Sequence, residues 1–226
     1  MIFLLGNALT DRTIAIGDIH GCASALNSVL EAICPTQCDT IIQLGDAIDR
    51  GTHSRAVIDS LLSLSKQCAF VFVRGNHEEL LLDALDDTDK LARWLRNGGT
   101  DTLRAYGCDR PENIPADHLE FLRGSVQYFE SERHIFVHAG YIDDQPMAGQ
   151  PGLALRWRVT NENSRPHCSG KTVITGHTAQ KSGEILDLGH VKCIDTNCVH
   201  GGWLTAINAD NGEMWQSDQY GKLRSR

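Results

Sequence analysis

The sequence predicts a layered α/β domain, on two observations. Three short apolar runs, at 13–16, 40–44 and 69–73, each lead into a glycine-containing polar loop and then into helical periodicity, which is the pattern of a βαβαβ half. Beyond residue 125 the chain changes character, to short strand-like runs separated by turn residues.

In order, Thr13-Ile14-Ala15-Ile16 is a first strand that runs into Gly17-Asp18-Ile19-His20-Gly21. Over 22–33, Ala25, Leu26, Val29, Leu30 and Ile33 recur at helical spacing, and Pro35 stops that helix. The run 40–44 precedes Gly45-Asp46-Ala47-Ile48-Asp49-Arg50-Gly51, a glycine-bounded turn at a strand end, where open α/β sheets place their ligands. A second helix is expected over 54–66, with Val57, Ile58, Leu61, Leu62 and Leu64 inward. The third strand ends in Arg74-Gly75-Asn76-His77-Glu78-Glu79. A helical cap segment follows over about 79–125, broken at Gly98-Gly99 and Gly107, with Pro111 and Pro115 in a loop.

Runs 125–130 and 133–137 read as paired strands leading into His138-Ala139-Gly140, and 141–170 as mostly loop. A strand over 171–175 ends at Gly176-His177. The runs 184–188, 190–195, 203–208 and 213–216 read as successive antiparallel strands joined by Asn/Asp-Gly turns. With no repeat, low-complexity tract or linker, 1–226 is expected to be a single domain.

The 226 residues suffice for a proper core. Against 29 acidic residues stand 21 Lys and Arg, a formal charge of −8, which argues against a broad nucleic-acid surface and leaves any phosphate dependent on a local positive site. The eight dispersed cysteines make no zinc module and are expected as buried free thiols in a reducing cytosol. Met1-Ile2-Phe3-Leu4-Leu5 lacks the basic start of a secretory signal, and no run is long enough to span a bilayer. A soluble cytoplasmic protein without a membrane or nucleic-acid partner is expected; the sequence is silent on oligomeric state.

Asp18, His20, Asp46, Asn76, His138 and His177 all sit just after strands, and all are oxygen or imidazole donors without a thiolate, a set that suits Mn, Fe or Zn. One carboxylate offers two oxygens, so Asp46 is read as a ligand shared by two cations.

Taken together, Gly17-Asp18-Ile19-His20-Gly21, Gly45-Asp46-Ala47-Ile48-Asp49-Arg50-Gly51, Gly75-Asn76-His77-Glu78, His138-Ala139-Gly140, Gly176-His177-Thr178 and Ile194-Asp195-Thr196 resemble the motif series of the phosphoprotein phosphatase family. That family is a branch of the calcineurin-like metallophosphoesterases, and its short bacterial members are the closest in length. The resemblance implies a four-layer αββα sandwich of two mixed sheets, with two divalent ions, Mn or else Fe or Zn, between their loops. It implies Asp18, His20 and Asp46 on one ion, and Asp46, Asn76, His138 and His177 on the other. The implied reaction is hydrolysis of a phosphoprotein or phosphopeptide, on serine or threonine and also tyrosine, by a metal-bridging hydroxide without a phosphoenzyme.

His77, whose side chain diverges from that of Asn76, is then the general acid, held in its tautomer by Asp49, and Arg50 grips phosphoryl oxygens. Arg156 or Arg158 supplies a second grip, with Arg158 favoured, and Arg74 is expected to pair with a structural carboxylate. Asn197 stands where the family has Gly and suits a left-handed turn. The rival reading is a bis(5'-nucleosyl)-tetraphosphatase, whose members tend to carry Ala-Arg-Gly and Asn-His-Asp at these places. Glu78 and Glu79 are assigned to a helix N-terminus, and Trp94, Trp157 and Trp203 to core packing. His53, His118, His134, His167, His190 and His200 are surface or satisfied residues, with His200 singled out for its loop at 197–202.

Overall fold

Residues 11–225 are described by a computed structural model; the opening Met1–Leu5 stretch lies outside them. The first half alternates β1 (Thr13–Ile16), α1 (Ala23–Ile33), β2 (Thr40–Gln43), α2 (Ser54–Leu64), β3 (Ala69–Phe72) and α3 (Asn76–Asp86). The cap continues through α4 (Leu91–Trp94), a kinked turn Leu95–Gly99, α5 (Thr100–Tyr106) and α6 (Ala116–Arg123). Then follow β4 (Tyr128–Glu130), β5 (His134–Val137), α7 (Gly152–Trp157), β6 (Thr172–Thr175), β7 (Leu186–Asp187), β8 (Val191–Cys193), β9 (Asp195–Thr196), β10 (Trp203–Asn208) and β11 (Met214–Ser217).

Two mixed sheets result. One runs β11-β10-β1-β2-β3 with β9 on β10, the other β4-β5-β6-β8-β7. Side-chain alternation in the strands sorts the core into layers. Ile14, Ile16 and Ile41 face α1 and α2, whereas Ala15 and Ile42 turn to the other side and meet Phe136 and Ile174 of the second sheet. Ile135, Val137 and Val173 point away from that interface, toward Met147 and Leu155. The order is therefore helices, sheet, sheet, and a thin outer layer built on α7.

Parallel register places the functional loops. Ile16, Gln43 and Phe72 are aligned across β1, β2 and β3, so the three following loops leave the sheet at one edge. Phe136 aligns with Ile174, and Thr175 with Cys193, which does the same for β5, β6 and β8. The two edges meet: His138 of the second sheet bonds through Nδ1 to the Leu44 carbonyl of the first at 2.7 Å.

Two expectations are corrected. The strands after residue 184 do not form one antiparallel series: β8 lies parallel to β6, and the chain crosses at buried Ile194 into the first sheet, where β9 pairs with β10. Alternation fixes which face a residue takes but not which strand it pairs with. The 141–170 stretch is mostly loop, as expected, and holds the short α7, whose two buried residues, Ala154 and Leu155, carry its packing. Of the eight cysteines, all free, Cys22, Cys193 and Cys198 alone are buried, against the expectation for the set.

Candidate metal centre

The loops after β1 and β2 are zipped together: the Ile19 and His20 N–H groups donate to the Asp46 carbonyl, at 3.1 and 2.8 Å. Among the described residues, seven non-glycine residues have positive φ, and five of them, His20, Asp46, Asp49, Arg50 and His177, are candidate site residues read from the sequence. Backbone held in this sparsely populated region concentrates at functional loops. At Gly75 a Cβ would collide with the Asp46 carboxylate, so only glycine lets the third loop approach the second.

Asp46 lies at the middle. Its Oδ1 is 3.4 Å from His138 Nε2 and its Oδ2 is 3.5 Å from His20 Nε2, so the two oxygens face separate histidines. His20 Nδ1 donates to the Ile48 carbonyl at 2.8 Å, as His138 Nδ1 does to Leu44, and in both rings Nε2 keeps its lone pair toward the cluster. Asn76 Oδ1 stands 2.9 Å from both His138 Nε2 and His177 Nδ1. Two groups of donor atoms, His20/Asp46/His77 and Asp46/His138/His177, each lie within 4.8 Å of one another and share Asp46. Asp18 closes the ring from the other side, its carboxylate accepting the His177 backbone N–H at 3.0 and 3.1 Å. Asp18 is outside both donor groups, and His77 stands in the place expected for it.

The donor chemistry fits divalent cations. A lone pair of His138 converges on an acceptor oxygen of Asn76, an arrangement that a cation between them would satisfy. Carboxylates also crowd the spot: burial, then Asp195 and Asp46, raise Asp18 well above the usual range, and burial with Asp46 pushes Glu78 up to about 7. Burial and the Asp46 charge push Asp195 up to about 6 against the Asn197 N–H it accepts. Asp46 itself is held low: burial raises it, but the charges that His138, His77, His20 and His177 carry when protonated outweigh its burial.

The four histidines divide. Burial drives His20, His138 and His177 toward the neutral form, His177 down to about 4. In His77 burial acts the same way, but Asp46 and the hydrogen-bonded Asp49 overcome it and favour the cation. His77 Nδ1 is 2.8 Å from Asp49 Oδ2, and its Nε2 is the one buried side-chain polar atom among the described residues without a partner. Fully buried Asp49 also accepts from Trp94 Nε1 at 3.0 and 3.1 Å and from Thr102 Oγ1 at 2.7 Å.

The arginines separate as well. Arg50 Nη1 is 2.7 Å from His20 Nε2, at the mouth of the cluster. Arg156 is committed to Glu79, with Nε at 2.7 Å, and to Gln127. Arg158 is exposed beside Gly140 and has no side-chain partner among the described residues. Arg74 pairs with no carboxylate: it grips Ser125 Oγ at 2.9 Å and the backbone at Arg123 and Ser125, tying β3 to the end of the cap. Asn197 has φ 65°, the left-handed turn expected of it.

The pattern of the calcineurin-like phosphoesterases matches residues 12–181. The chain belongs to that family. Within it the phosphoprotein phosphatase type is the one it resembles: it is 30% identical over 209 residues to serine/threonine-protein phosphatase 1 of Salmonella typhimurium, covering 84% of this chain and 88% of that one. It is also 26% identical to the symmetrical bis(5'-nucleosyl)-tetraphosphatase of Stutzerimonas stutzeri, over 93% of this chain and 98% of the other. A solved cold-active protein-tyrosine phosphatase of a psychrophilic Shewanella superposes with a TM-score of 0.70 at 16% identity, over 95% of this chain and 80% of that one, and shares the fold.

Sequence reading missed three parts of this phosphoesterase's site. Trp94 packs in the core as expected, and its indole N–H also serves Asp49 from 45 residues away. Thr102 carried no signal at all. Glu78 does cap α3 through Gly75 N–H, but it also holds the Asp46 and Ala47 N–H groups at 2.8 and 2.9 Å, and so fixes the central loop. Glu79 holds Arg156 and the Trp157 indole, which brings the Trp157 ring against His177 at 6.2 Å. None of the described helices is long and apolar enough to cross a membrane.

Proposed function

We propose that this phosphoesterase is a metal-dependent phosphomonoesterase that removes phosphate from serine or threonine, and also tyrosine, in proteins and peptides. The observation that carries the reading is the Asp46 carboxylate, with one oxygen toward His20 and the other toward His138, beside a His77–Asp49 pair whose Nε2 is free. Asp18, His20 and Asp46 would hold one cation, and Asp46, Asn76, His138 and His177 the other, with Mn the first choice and Fe or Zn the alternatives. Two divalent cations held there would activate water as the nucleophile and screen phosphoryl charge.

The protein's own groups do the remainder. Three histidines that burial biases toward the neutral form can act as ligands, while His77, which two carboxylates bias toward the cation against its burial, can give its Nε2 proton to the leaving oxygen. Asp49 fixes the His77 tautomer, and the Arg50 fork can swing from His20 to phosphoryl oxygens. Arg158, unpaired where Arg156 is not, is free to supply the second grip.

A second reading, hydrolysis of dinucleoside polyphosphates, is supported by the full-length similarity to the Stutzerimonas stutzeri tetraphosphatase. Manganese-loaded protein assayed side by side on a phosphoserine peptide and on diadenosine tetraphosphate decides between them. Faster release from the peptide, lost in His77→Asn, is expected. Faster cleavage of the dinucleotide would give the second reading the site, and no turnover of either would overturn both.

A further inference from the structure

A cleft of about 440 Å³ opens beside the candidate metal centre, lined by Arg50, Arg96, Asn97, Gly98, Asp101 and His200. We propose that it binds a second anionic group, a carboxylate or a phosphate, of the same substrate whose phosphoryl group is held at Arg50. The proposal rests on the phosphoesterase reading above and adds to it what flanks the scissile phosphate.

Charge supports the assignment first. In a chain of net charge −8, this cleft gathers two guanidiniums and an imidazole against one acid, and that acid, Asp101, already pairs with Arg104 at 3.2 Å. Availability comes second. Neither Arg96 nor His200 has an ion pair or a side-chain hydrogen bond among the described residues, whereas most other cationic and imidazole groups around the centre are engaged; the reaction uses neither.

The walls are also built rather than incidental. Arg50 N–H donates to the Gly98 carbonyl at 3.4 Å, and Gly98, at φ 111°, lies so close that a Cβ would come within 2.6 Å of Arg50 N. The turn that carries Arg96 is thereby pinned against the Arg50 loop. Opposite, the one-turn helix Cys198–His200 is bracketed by Asn197 at φ 65° and Gly201 at φ 91°, and closed by Gly202 N–H on the Asn197 carbonyl at 2.9 Å. Side chains presented from fixed backbone lose less entropy when they engage a ligand. Because Arg50 reaches both His20 and the cleft, an anion in the cleft sits next to the phosphoryl position, not across the molecule.

The test compares manganese-loaded wild type, Arg96→Gln and His200→Gln on four substrates. These are two phosphoserine peptides differing only by Glu or Gln beside the phosphoserine, diadenosine tetraphosphate, and p-nitrophenyl phosphate, which has no second anion. Wild type should show a KM about fivefold lower for the Glu peptide or for the dinucleotide, the scale of one solvent-exposed charge pair; which of the two is preferred identifies the anion's source. Either variant should erase that preference and leave kcat and p-nitrophenyl phosphate hydrolysis unchanged. Wild type without any preference, or variants that retain it, overturns the subsite alone. Wild type inactive on p-nitrophenyl phosphate as well rejects the phosphoesterase reading and the subsite with it.

Discussion

At Asp49 a fully buried carboxylate receives an imidazole N–H, an indole N–H and a hydroxyl, and two of these donors come from the cap. Trp94→Phe keeps an aromatic, though smaller, ring in the core and removes one donor. A hydrogen bond to a charged group is worth about 1.5–3 kcal/mol, so misplacement of His77 should cost at least about tenfold in kcat on an alkyl phosphate. A p-nitrophenyl ester, whose leaving group departs without an acid, should change little. Equal losses on both esters would reduce Trp94 to a packing residue. Away from the site, Arg12 holds the Asp39 carboxyl down to about 2 from an ordinary 3.8 through a 2.8 Å hydrogen bond. The folded value lies below the unfolded one, so this pair's contribution is complete above about pH 4 and is lost as pH falls toward 2. The difference in urea midpoint between wild type and Asp39→Asn should therefore shrink between pH 5 and pH 2; a constant difference would contradict it.

The strands determine where the loops go. Phe136 stands between the two sheets with no exposure, and its removal should leave a cavity there, so Phe136→Ala should lose about 3–5 kcal/mol in denaturant unfolding. A loss below about 1 kcal/mol would mean that the sheets do not pack through this residue. Individual strands and the donors at their ends were legible in the sequence, because an apolar run followed by glycine and a polar residue is a local pattern. Their partition between sheets was not, because β8 and β9 are neighbours in sequence that pair with β6 and β10, and nothing local distinguishes those partners. The glycines at 98 and 99 were legible as breaks in the cap. That the break lets the cap touch Arg50, and brings Trp94 to Asp49, depends on a long-range contact.

Across the whole molecule, the parallel registers of two sheets bring loops separated by up to 159 residues to one spot, as in the contact between Asp18 and His177. The cost is a crowd of buried carboxylates, Asp18, Asp46, Glu78 and Asp195, in one region. Cations that bind only the folded chain should offset it, so the unfolding midpoint should rise with Mn concentration, as mass action requires, and fall on chelation. Asp46→Asn should lose most of that dependence, and a midpoint indifferent to Mn in the wild type would speak against the ligand set. The most direct measurement is anomalous diffraction from manganese-soaked crystals. Two peaks about 3.5–4 Å apart with Asp46 between them are expected; a single peak, or peaks away from Asp46, would contradict a paired centre assembled from the two sheet edges.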